Sequence, residues 1–417
     1  MAATPAREPG APARREAAPP LRPRGSSQGG QREYNERVVL QAVRLAGSAA
    51  SAEIARLTGL TAQTVSLITK RLLEEGYLLK GTPRRGKVGQ PSVPLSLAPD
   101  GAHAVGIKLG RRRLDVVLVD FTGSVRARWS FDYRFPDPDA VLAEIGRCFT
   151  SIRRRLGPRG RERVQGVGLA APLAIGGWRS LLGVEAALAL RWASIDLRER
   201  VAALCEWPVD SMKDTAAACV AELVAGRGRQ VHSFLYVFID TFIGGGLVID
   251  SHVRSGANGN AGAIGSMPLG LSTQANGRGT APQLLSIASL QALEQSWADA
   301  GLALPKGSWP DPLAGPRRAL TLAWIQRSAV AIAHAMSSAA CLLDLEAVIV
   351  DGAIDRALLQ ALMDATRAAL DRYDWEGVRR PELLQGTVGA DAGALGGALL
   401  PLHANFAPDR DLFIKEA

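Results

Sequence analysis

Hydrophobic residues recur at helical spacing in three short stretches near the N-terminus. They predict helices over residues 35–46, 51–57 and 61–75, with Ser51 and Thr61 as the N-caps of the second and third helices. The Thr-Gly-Leu sequence between those two helices predicts a tight turn. The third helix is expected to bury one apolar face, formed by Val65, Ile68, Leu72 and Leu73. Three short helices with a sharp turn before the third predict a helix-turn-helix.

A different pattern follows Gly76. Residues 77–79 and 93–97 are rich in apolar side chains and predict two strands. The segment between them, residues 83–91, contains glycines that permit a tight flexible loop, and it carries the cations Arg84, Arg85 and Lys87. This is the pattern of a basic wing, whose cations can lie beside phosphates or enter a minor groove.

From residue 103 onward, predicted strands and helices alternate to the C-terminus. Residues 104–110 and 114–120 predict a hairpin, which is followed by a helix near residues 139–155 and a strand over residues 164–170. The same alternation continues through the rest of the chain. It predicts a large α/β body behind the helix-turn-helix.

The first 30 residues have no such patterning. They are rich in Ala, Pro, Arg and Gly and contain almost no large apolar side chains. Such a segment cannot bury enough surface to offset the entropy lost on ordering. Residues 1–30 are therefore predicted to be a disordered basic tail.

The positive charge is concentrated near the N-terminus. Residues 1–100 hold 15 Lys and Arg against 8 Asp and Glu, whereas the remaining 317 residues hold 34 against 32. Most of the net charge of +9 therefore lies in the first quarter of the 417-residue chain. This distribution is expected of a domain that binds a polyanion such as double-stranded DNA.

Composition favours a folded cytoplasmic protein. Apolar residues make up 47% of the chain, but no run is long enough for a membrane span and no signal-peptide core is present. The four cysteines are widely spaced and suggest neither a disulfide framework nor a zinc cluster: Cys148, Cys205, Cys219 and Cys341. We expect no membrane association and no cofactor.

Several short motifs carry a family resemblance through their order and spacing. They are Gly89-Gln90-Pro91 at the end of the wing, Val105-Gly106-Ile107, Asp214 before a small-residue helix, Gly244-Gly245-Gly246, residues 255–262, residues 348–352 and residues 391–398. Together they resemble the ROK family, named for repressors, open reading frames and kinases, and in particular its regulator branch. The resemblance spans about residues 31–410.

The resemblance implies an α/β architecture with three folded parts. A winged helix-turn-helix over residues 31–100 would precede a two-lobed actin-like ATPase body of the sugar kinase-like, ribonuclease H-like kind. Its first lobe would comprise residues 101–215 with the return of residues 391–417, and its second lobe residues 216–390. The family also implies a homodimer or homotetramer and, in its kinases, a sugar held between the lobes.

The segment that approaches ATP phosphates in ROK kinases departs from the family pattern. Those kinases have roughly Asp-x-Gly-Gly-Thr, whereas this chain has Lys108-Leu109-Gly110-Arg111-Arg112. Lys108 replaces the acid, and Arg111 and Arg112 add bulk where a glycine and a threonine are usual. What remains of the phosphate loops is Gly110 together with Gly244, Gly245 and Gly246.

Asp214 matches the family's catalytic aspartate, the general base of sugar phosphorylation. The alternatives are a retained ligand contact or an ordinary helix-capping carboxylate. The resemblance makes Asp214, Asn258 and Gly259 the candidate ligand-binding residues. Three other sugar-binding positions are changed, since the family's Glu, His and Asn are replaced by Ala263, Ser266 and Leu188. A typical hexose ligand is therefore doubtful.

The family's zinc site is expected to be absent. Residues 271–281 stand where the family has a cysteine-rich segment, and they contain no cysteine. Zinc needs about four convergent ligands, and the five histidines are scattered along the chain. We predict no metal site.

The third predicted helix is the candidate for base recognition. Gln63, Thr64 and Ser66 lie in its N-terminal half and can reach base edges, with Leu67 a candidate contact to a thymine methyl. Lys70 and Arg71 lie further along, where phosphate contact is expected. Thr64 and Ser66 have an alternative explanation as ordinary helix residues. The wing cations would add salt-dependent affinity more than specificity.

Three functions remain open from the sequence. The first is a DNA-binding regulator, in the simplest case a repressor, with a sugar or sugar-derivative effector and no enzyme activity. The second is an ATP-dependent sugar kinase with a DNA-binding appendage. Asp214 and the triple glycine favour it, and the residues that oppose it are Lys108, Arg111, Ala263 and Ser266. The third is an effector-independent DNA-binding dimer.

Overall fold

The computed structural model describes residues 28–83, 93–177, 183–270, 281–302 and 311–408. Most of the predicted basic tail lies outside the described residues. So do three predicted wing cations, Arg84, Arg85 and Lys87, and nearly all of the segment that replaces the family's zinc cysteines.

Three helices and a two-stranded sheet form an N-terminal unit, which we call the winged-helix module. Its helices are α1 (Gln28–Ala46), α2 (Ser51–Thr58) and α3 (Ala62–Glu74), and its antiparallel strands are β1 (Leu78–Lys80) and β2 (Leu95–Leu97). Gly59 ends α2 in the left-handed conformation (φ 69°), which supplies the tight turn before α3. The predicted helix-turn-helix is confirmed.

Three details of this module differ from the prediction. Helix α1 begins at Gln28, so the last residues of the predicted tail are helical. Ser51 is the first residue of α2, and the N-cap is Ala50, which makes no side-chain capping bond. Leu73 is half-buried, whereas the other three predicted core residues of α3 are buried.

The first sheet of the body has the spatial order β5-β4-β3-β6-β7. Its strands are β3 (His103–Leu109), β4 (Arg113–Asp120), β5 (Val125–Asp132), β6 (Val164–Ala171) and β7 (Val209–Lys213). Strand β4 runs antiparallel to both β3 and β5, and β3, β6 and β7 are parallel. The helices between them are α4 (Pro138–Glu162), which kinks at Gly157, α5 (Ala186–Ala193) and α6 (Leu197–Ala202).

The second sheet repeats this plan in the order β10-β9-β8-β11-β12. Its strands are β8 (Phe234–Ile239), β9 (Gly244–Ile249), β10 (His252–Arg254), β11 (Ala347–Gly352) and β12 (Glu382–Gln385). Its helices are α7 (Asp214–Ala225), α8 (Leu284–Ala288), α9 (Leu290–Asp299), α10 (Arg318–Leu343) and α11 (Arg356–Leu370). Two five-stranded sheets with the same strand topology are typical of a two-lobed ribonuclease H-like body, so the predicted α/β class is confirmed.

The last described helix, α12 (Ala392–Phe406), packs at the centre of the molecule, against β3, β6 and α7. Glycines permit this contact because the backbones touch directly. A Cβ atom at Gly106 would lie 1.9 Å from the Ala394 carbonyl oxygen, and one at Gly396 would lie 1.7 Å from that of Ala217. Helix α12 therefore joins the first sheet to the first helix of the second lobe.

The winged-helix module shares one hydrophobic core with the first sheet and α12. At its centre three rings meet: the Phe121 ring centroid lies 5.7 Å from that of Tyr77 and 4.6 Å from that of Phe406. The Arg44 guanidinium of α1 covers the Phe121 ring at 5.2 Å. The module is thus packed onto the body through apolar and aromatic contacts.

Among the described helices, none has the length and apolar character needed to cross a bilayer.

Candidate functional site

The exposed face of α3 contains most of the residues predicted to contact DNA bases. Thr61 caps the helix as predicted, since its Oγ1 accepts a hydrogen bond from the Thr64 backbone N–H at 3.2 Å. Gln63 and Ser66 are exposed, and the Leu67 side chain is 66% exposed. Thr64 is half-buried, and its hydroxyl lies 2.9 Å from that of Thr61. Its local role in the cap therefore accompanies any role in recognition.

The two cations further along α3 are not equivalent. Lys70 is well exposed, and its ammonium group lies 4.0 Å from the Glu74 carboxylate. Arg71 instead bonds to Glu36 of α1 at 2.9 Å and to Glu75 at 2.6 Å. Arg71 therefore ties α3 to α1, and two carboxylates already balance its charge. Lys70 is the better candidate for a phosphate contact.

Asp214 lies in the cleft between the two sheets, as the first residue of α7. Its Oδ1 accepts a hydrogen bond from the Thr215 backbone N–H at 2.8 Å, and the Thr215 hydroxyl donates to the Gly245 carbonyl at 2.8 Å. Burial raises the pKa of the Asp214 carboxyl, while the charges of Lys108 and Arg111 oppose that shift. A ligand hydroxyl could donate to this carboxylate.

The three consecutive glycines begin strand β9, where they have a packing role. A Cβ at Gly244 would lie 2.8 Å from the Thr215 side chain, and one at Gly246 would lie 2.5 Å from that of Cys219. A Cβ at Gly245 would lie 2.4 Å from the Tyr236 carbonyl oxygen. These glycines let β9 pack closely on α7 and β8, independently of any phosphate.

The β3–β4 turn contains Gly110, and three cations near it contact the second lobe. The buried Lys108 ammonium lies 2.5 Å from the Asp240 carboxylate at the end of β8. The Arg111 guanidinium covers the Phe242 ring at 4.8 Å, and Arg112 bonds to Glu294 at 2.6 Å. The lysine that replaces the family's acid therefore spans the cleft and pairs with a carboxylate of the same chain.

The pairing of Lys108 with Asp240 shifts the pKa values of both groups. Burial acts to lower the pKa of Lys108, but the charge and hydrogen bond of Asp240, together with the charges of Asp214 and Asp115, outweigh it and raise that pKa. Burial acts to raise the pKa of Asp240, but the charge and hydrogen bond of Lys108 lower it below its ordinary value. Both groups are therefore held in their charged forms.

A cavity of about 280 Å³ lies beside Asp214, and we call it the aspartate cavity. Ala263 and Ser266 line it, so two of the three altered sugar-binding positions do face this space. Arg111 lines it too, and the buried Arg111 Nε has no hydrogen-bond partner among the described residues. The cavity thus has one carboxylate but lacks the Glu and His of the family pattern.

A larger cavity of about 890 Å³ adjoins the aspartate cavity, and we call it the wide cavity. The two share Pro172, Leu173, Ala174 and Lys213 in their walls. Gly259 lines the wide cavity as a predicted ligand residue should, whereas Asn258 is exposed and lines neither of these two cavities.

Two neighbours of the predicted positions line these cavities without having been singled out from the sequence. Leu190 contributes to the wall of the wide cavity. Asn260 lines the aspartate cavity and accepts a hydrogen bond from Lys213 at 2.8 Å. Which residues of the glycine-rich loop line a cavity depends on the path of its backbone.

In the described part of the chain, no group of three His, Cys, Asp or Glu side chains is arranged to hold a metal ion. The four cysteines are free thiols.

Comparison with known proteins adds three findings. A family model described as the ROK family matches residues 104–404. An uncharacterised protein, y4fQ of Sinorhizobium fredii, is 25% identical over 89% of this chain and 91% of its own length. The xylose repressor of Caldicellulosiruptor bescii is 25% identical over 63% of this chain and 65% of its own length.

Solved structures share the fold. A ROK family transcriptional regulator, described as a homologue of the E. coli MLC protein, superposes with a TM-score of 0.64 at 18% identity, covering 91% of this chain and 97% of that one. A ROK family glucokinase from Streptomyces griseus, in complex with glucose and AMPPNP, gives a TM-score of 0.53 at 20% identity. It covers 72% of this chain and 99% of its own. The match to the glucokinase therefore leaves over a quarter of this chain unmatched.

Proposed function

The chain belongs to the ROK family, and from this premise we propose that it is a DNA-binding transcriptional regulator, in the simplest case a repressor, and not a sugar kinase. Xylose repressors and N-acetylmannosamine kinases both resemble it at about one quarter identity, so the name of a relative does not decide between the two functions. The decision rests on the residues of the cleft and on the winged-helix module.

One observation carries the choice between regulator and kinase. The Lys108–Asp240 ion pair lies at the hairpin that approaches nucleotide phosphates in the family's kinases. A phosphate–metal complex there would meet a lysine that is already paired and arginines where close backbone approach is needed. Asp214 alone does not restore this site.

The winged-helix module supplies the DNA-binding surface. We propose that α3 enters the major groove, where Gln63, Ser66 and Leu67 are exposed for base contact and Lys70 for phosphate contact. Arg85 and Lys87 of the wing would neutralise further phosphates. A single winged-helix module binds DNA weakly, so we further propose that a homodimer binds an operator with two-fold symmetry.

A path of packed helices supports coupling between the cleft and the DNA-binding surface. Helix α7 begins at Asp214 in the cleft and packs on α12, and α12 in turn contacts α1. Leu402 and Phe406 of α12 pack in the same core as Leu40 and Val43 of α1. An effector that changes the lobe arrangement would thereby change the position of the module.

The direct test is recovery of bound genomic fragments with the full chain, followed by salt-titrated binding to a recovered fragment. We expect Gln63→Ala to relax preference at one base position. Lys70→Ala, Arg85→Ala and Lys87→Ala should weaken all sequences similarly and reduce the salt slope by about one per phosphate contact. Arg327→Ala, an exposed cation on α10, is the matched control and should change neither quantity.

Failure to retain any DNA above a non-binding control protein would refute the proposal. Light scattering of the protein with its fragment tests the dimer, and a one-to-one complex of monomer and DNA would contradict it.

The retained Asp214 in the aspartate cavity is the observation that favours a sugar kinase as second candidate. Coupled assays of ADP release with a panel of sugars test it. Turnover that Asp214→Asn abolishes would establish the kinase, whereas the regulator hypothesis expects no turnover in either protein. An effector-independent DNA binder would show no thermal shift with any small molecule.

A further inference from the structure

The wide cavity offers a ligand two kinds of wall. One part is aliphatic and aromatic, formed by the loop after β6 and by helix α5; the other carries cations from α6, β7 and β10. This division suits a ligand with an apolar body and a charged end.

The apolar wall has few groups that could bond to a sugar hydroxyl. Leu173 and Leu190 line it with 59% and 69% of their surfaces exposed, so an apolar ligand would remove large hydrocarbon areas from water. Trp192 also lines it, but its indole N–H already donates to the Pro136 carbonyl at 2.8 Å. A hydroxyl-rich ligand would lose hydrogen bonds to water on this side.

The charged wall has an excess of cations. Arg198, Lys213 and Arg254 line the cavity against a single carboxylate, Asp196, one oxygen of which caps the Glu199 backbone N–H. In the described part of the chain none of the three cations forms an ion pair with a carboxylate. Lys213 donates to the neutral Asn260 amide, and Arg254 to the Ile249 carbonyl.

Lys213 lies where the two cavities meet, and its surroundings favour an anion. Burial lowers the pKa of its ammonium group, and the neighbouring Asp214 only partly opposes that shift. Arg111 faces the same junction from the aspartate cavity, with its buried Nε lacking a partner among the described residues. An acidic ligand group near Lys213 would offset the cost of holding these cations away from water.

We propose that the wide cavity binds an amphipathic organic anion, with its acidic end at Lys213 and Arg254 and its apolar body against Leu173, Leu190 and Trp192. The role of this ligand as an effector rests on the regulator function proposed above. The claim that the wide cavity binds it does not depend on that function.

The test is calorimetric titration of the DNA-free full chain with 4-phenylbutyrate and with its neutral amide, 4-phenylbutyramide. The two probes have the same apolar body and differ in charge. We expect the carboxylate to bind at least tenfold more tightly than the amide. Glucose and glucose 6-phosphate are titrated in parallel and should bind more weakly than the carboxylate.

Equal affinities for acid and amide would overturn the proposal, as would glucose or glucose 6-phosphate binding in the absence of carboxylate binding. The first result would show an apolar site without charge recognition. The second would show a sugar site.

Variants locate the site. Lys213→Met and Arg254→Ala should each reduce carboxylate affinity about tenfold and leave amide affinity unchanged, whereas Leu190→Ser should weaken both probes. Arg198→Ala should also weaken the carboxylate, and Arg200→Ala, on the same helix but outside the cavity wall, is its matched control. Unchanged carboxylate affinity in both Arg254→Ala and Arg198→Ala would refute the site, even if Lys213→Met failed to fold.

The two proposals fail in different ways. A protein that binds the carboxylate but no genomic DNA would keep this inference and refute the regulator. A protein that binds DNA but no carboxylate would do the reverse.

Discussion

The molecule has two internal joints, and they are built from different interactions. The winged-helix module meets the body through a buried apolar core around Phe121, with the Arg44 guanidinium covering its ring. The two lobes share the packing of α12 on α7, but across the cleft itself they meet through charged groups, led by the Lys108–Asp240 pair. Opening the first joint would expose hydrocarbon, whereas the groups of the second can be hydrated when they separate. The module should therefore move as one body with the first lobe, and the cleft should be where the chain changes shape.

The largest expected effect comes from the apolar joint. Phe121 is fully buried between Tyr77 and Phe406, so Phe121→Ala should lower the free energy of unfolding by about 3–5 kcal/mol. Urea unfolding followed by circular dichroism measures it. Tyr34→Ala, at a side chain 52% exposed on α1, is the control and should change stability by no more than about 0.5 kcal/mol. If Phe121→Ala released the module while the body kept its full stability, the shared core would not couple the two.

The second effect comes from the charged joint. Asp240→Asn leaves the buried Lys108 without a counter-charge and should cost about 3 kcal/mol. The double variant with Lys108→Met should recover part of that loss, because no unpaired charge then remains. Asp364→Asn, which removes the carboxylate of an exposed ion pair on α11, serves as the control and should cost about 0.5 kcal/mol. Additive losses in the double-mutant cycle would show that the pair is not coupled.

The same joint should respond to acid. The lowered pKa of Asp240 means that its contribution is complete above the ordinary carboxyl pKa of about 4 and is lost as pH falls through the lowered value. The raised pKa of Lys108 places the opposite loss above about pH 10.5. The stability difference, wild type minus the double variant Lys108→Met/Asp240→Asn, should thus stay constant from about pH 5 to 8 and fall below about pH 4, because neither substituted side chain titrates. A difference that changed between about pH 6 and 8 would contradict this assignment.

The smallest effect is expected at the rim of the cleft. Arg112 forms an ion pair with Glu294 at 2.6 Å; because the arginine is 38% exposed and burial already raises the pKa of Glu294, which can take up a proton, Arg112→Ala should cost about 1–2 kcal/mol. Thermal unfolding at low and high salt measures it, and the loss should fall as salt rises. A loss comparable to that of Asp240→Asn would mean that the rim, rather than the Lys108 pair, holds the lobes together.

Local patterns were enough to predict the winged-helix module and the first hairpin. Thr61 caps α3 by accepting a hydrogen bond from Thr64, only three residues along the chain, and β3 and β4 are consecutive strands that pair across a short turn. The partner of Lys108 could not be predicted in this way. Asp240 lies 132 residues further along the chain, and the packing of the second lobe against the first brings it to Lys108.

Other contacts of the predicted residues also depend on the tertiary structure. In the glycine-rich loop, Gly259 adopts the left-handed conformation between two exposed asparagines, of which Asn260 lines the aspartate cavity and Asn258 does not. Arg71 is a surface cation by pattern, and its pairing with Glu36 depends on how α1 crosses α3. The triple glycine resembles a phosphate loop, while its close contacts involve Thr215, Tyr236 and Cys219.

The central position of α12 bears on the order in which the protein is made. Ribosomes release a chain from its N-terminus, so α1 to α3 emerge long before the helix that completes their core. Until Leu402 and Phe406 have been synthesised, the apolar surface that the module turns toward α12 is exposed to water. The surface of β3 at Gly106, which packs against Ala394 of α12, is exposed as well. Nascent or prematurely terminated chains should therefore expose apolar surface on the winged-helix module. Only a chain synthesised through α12 would bury that surface.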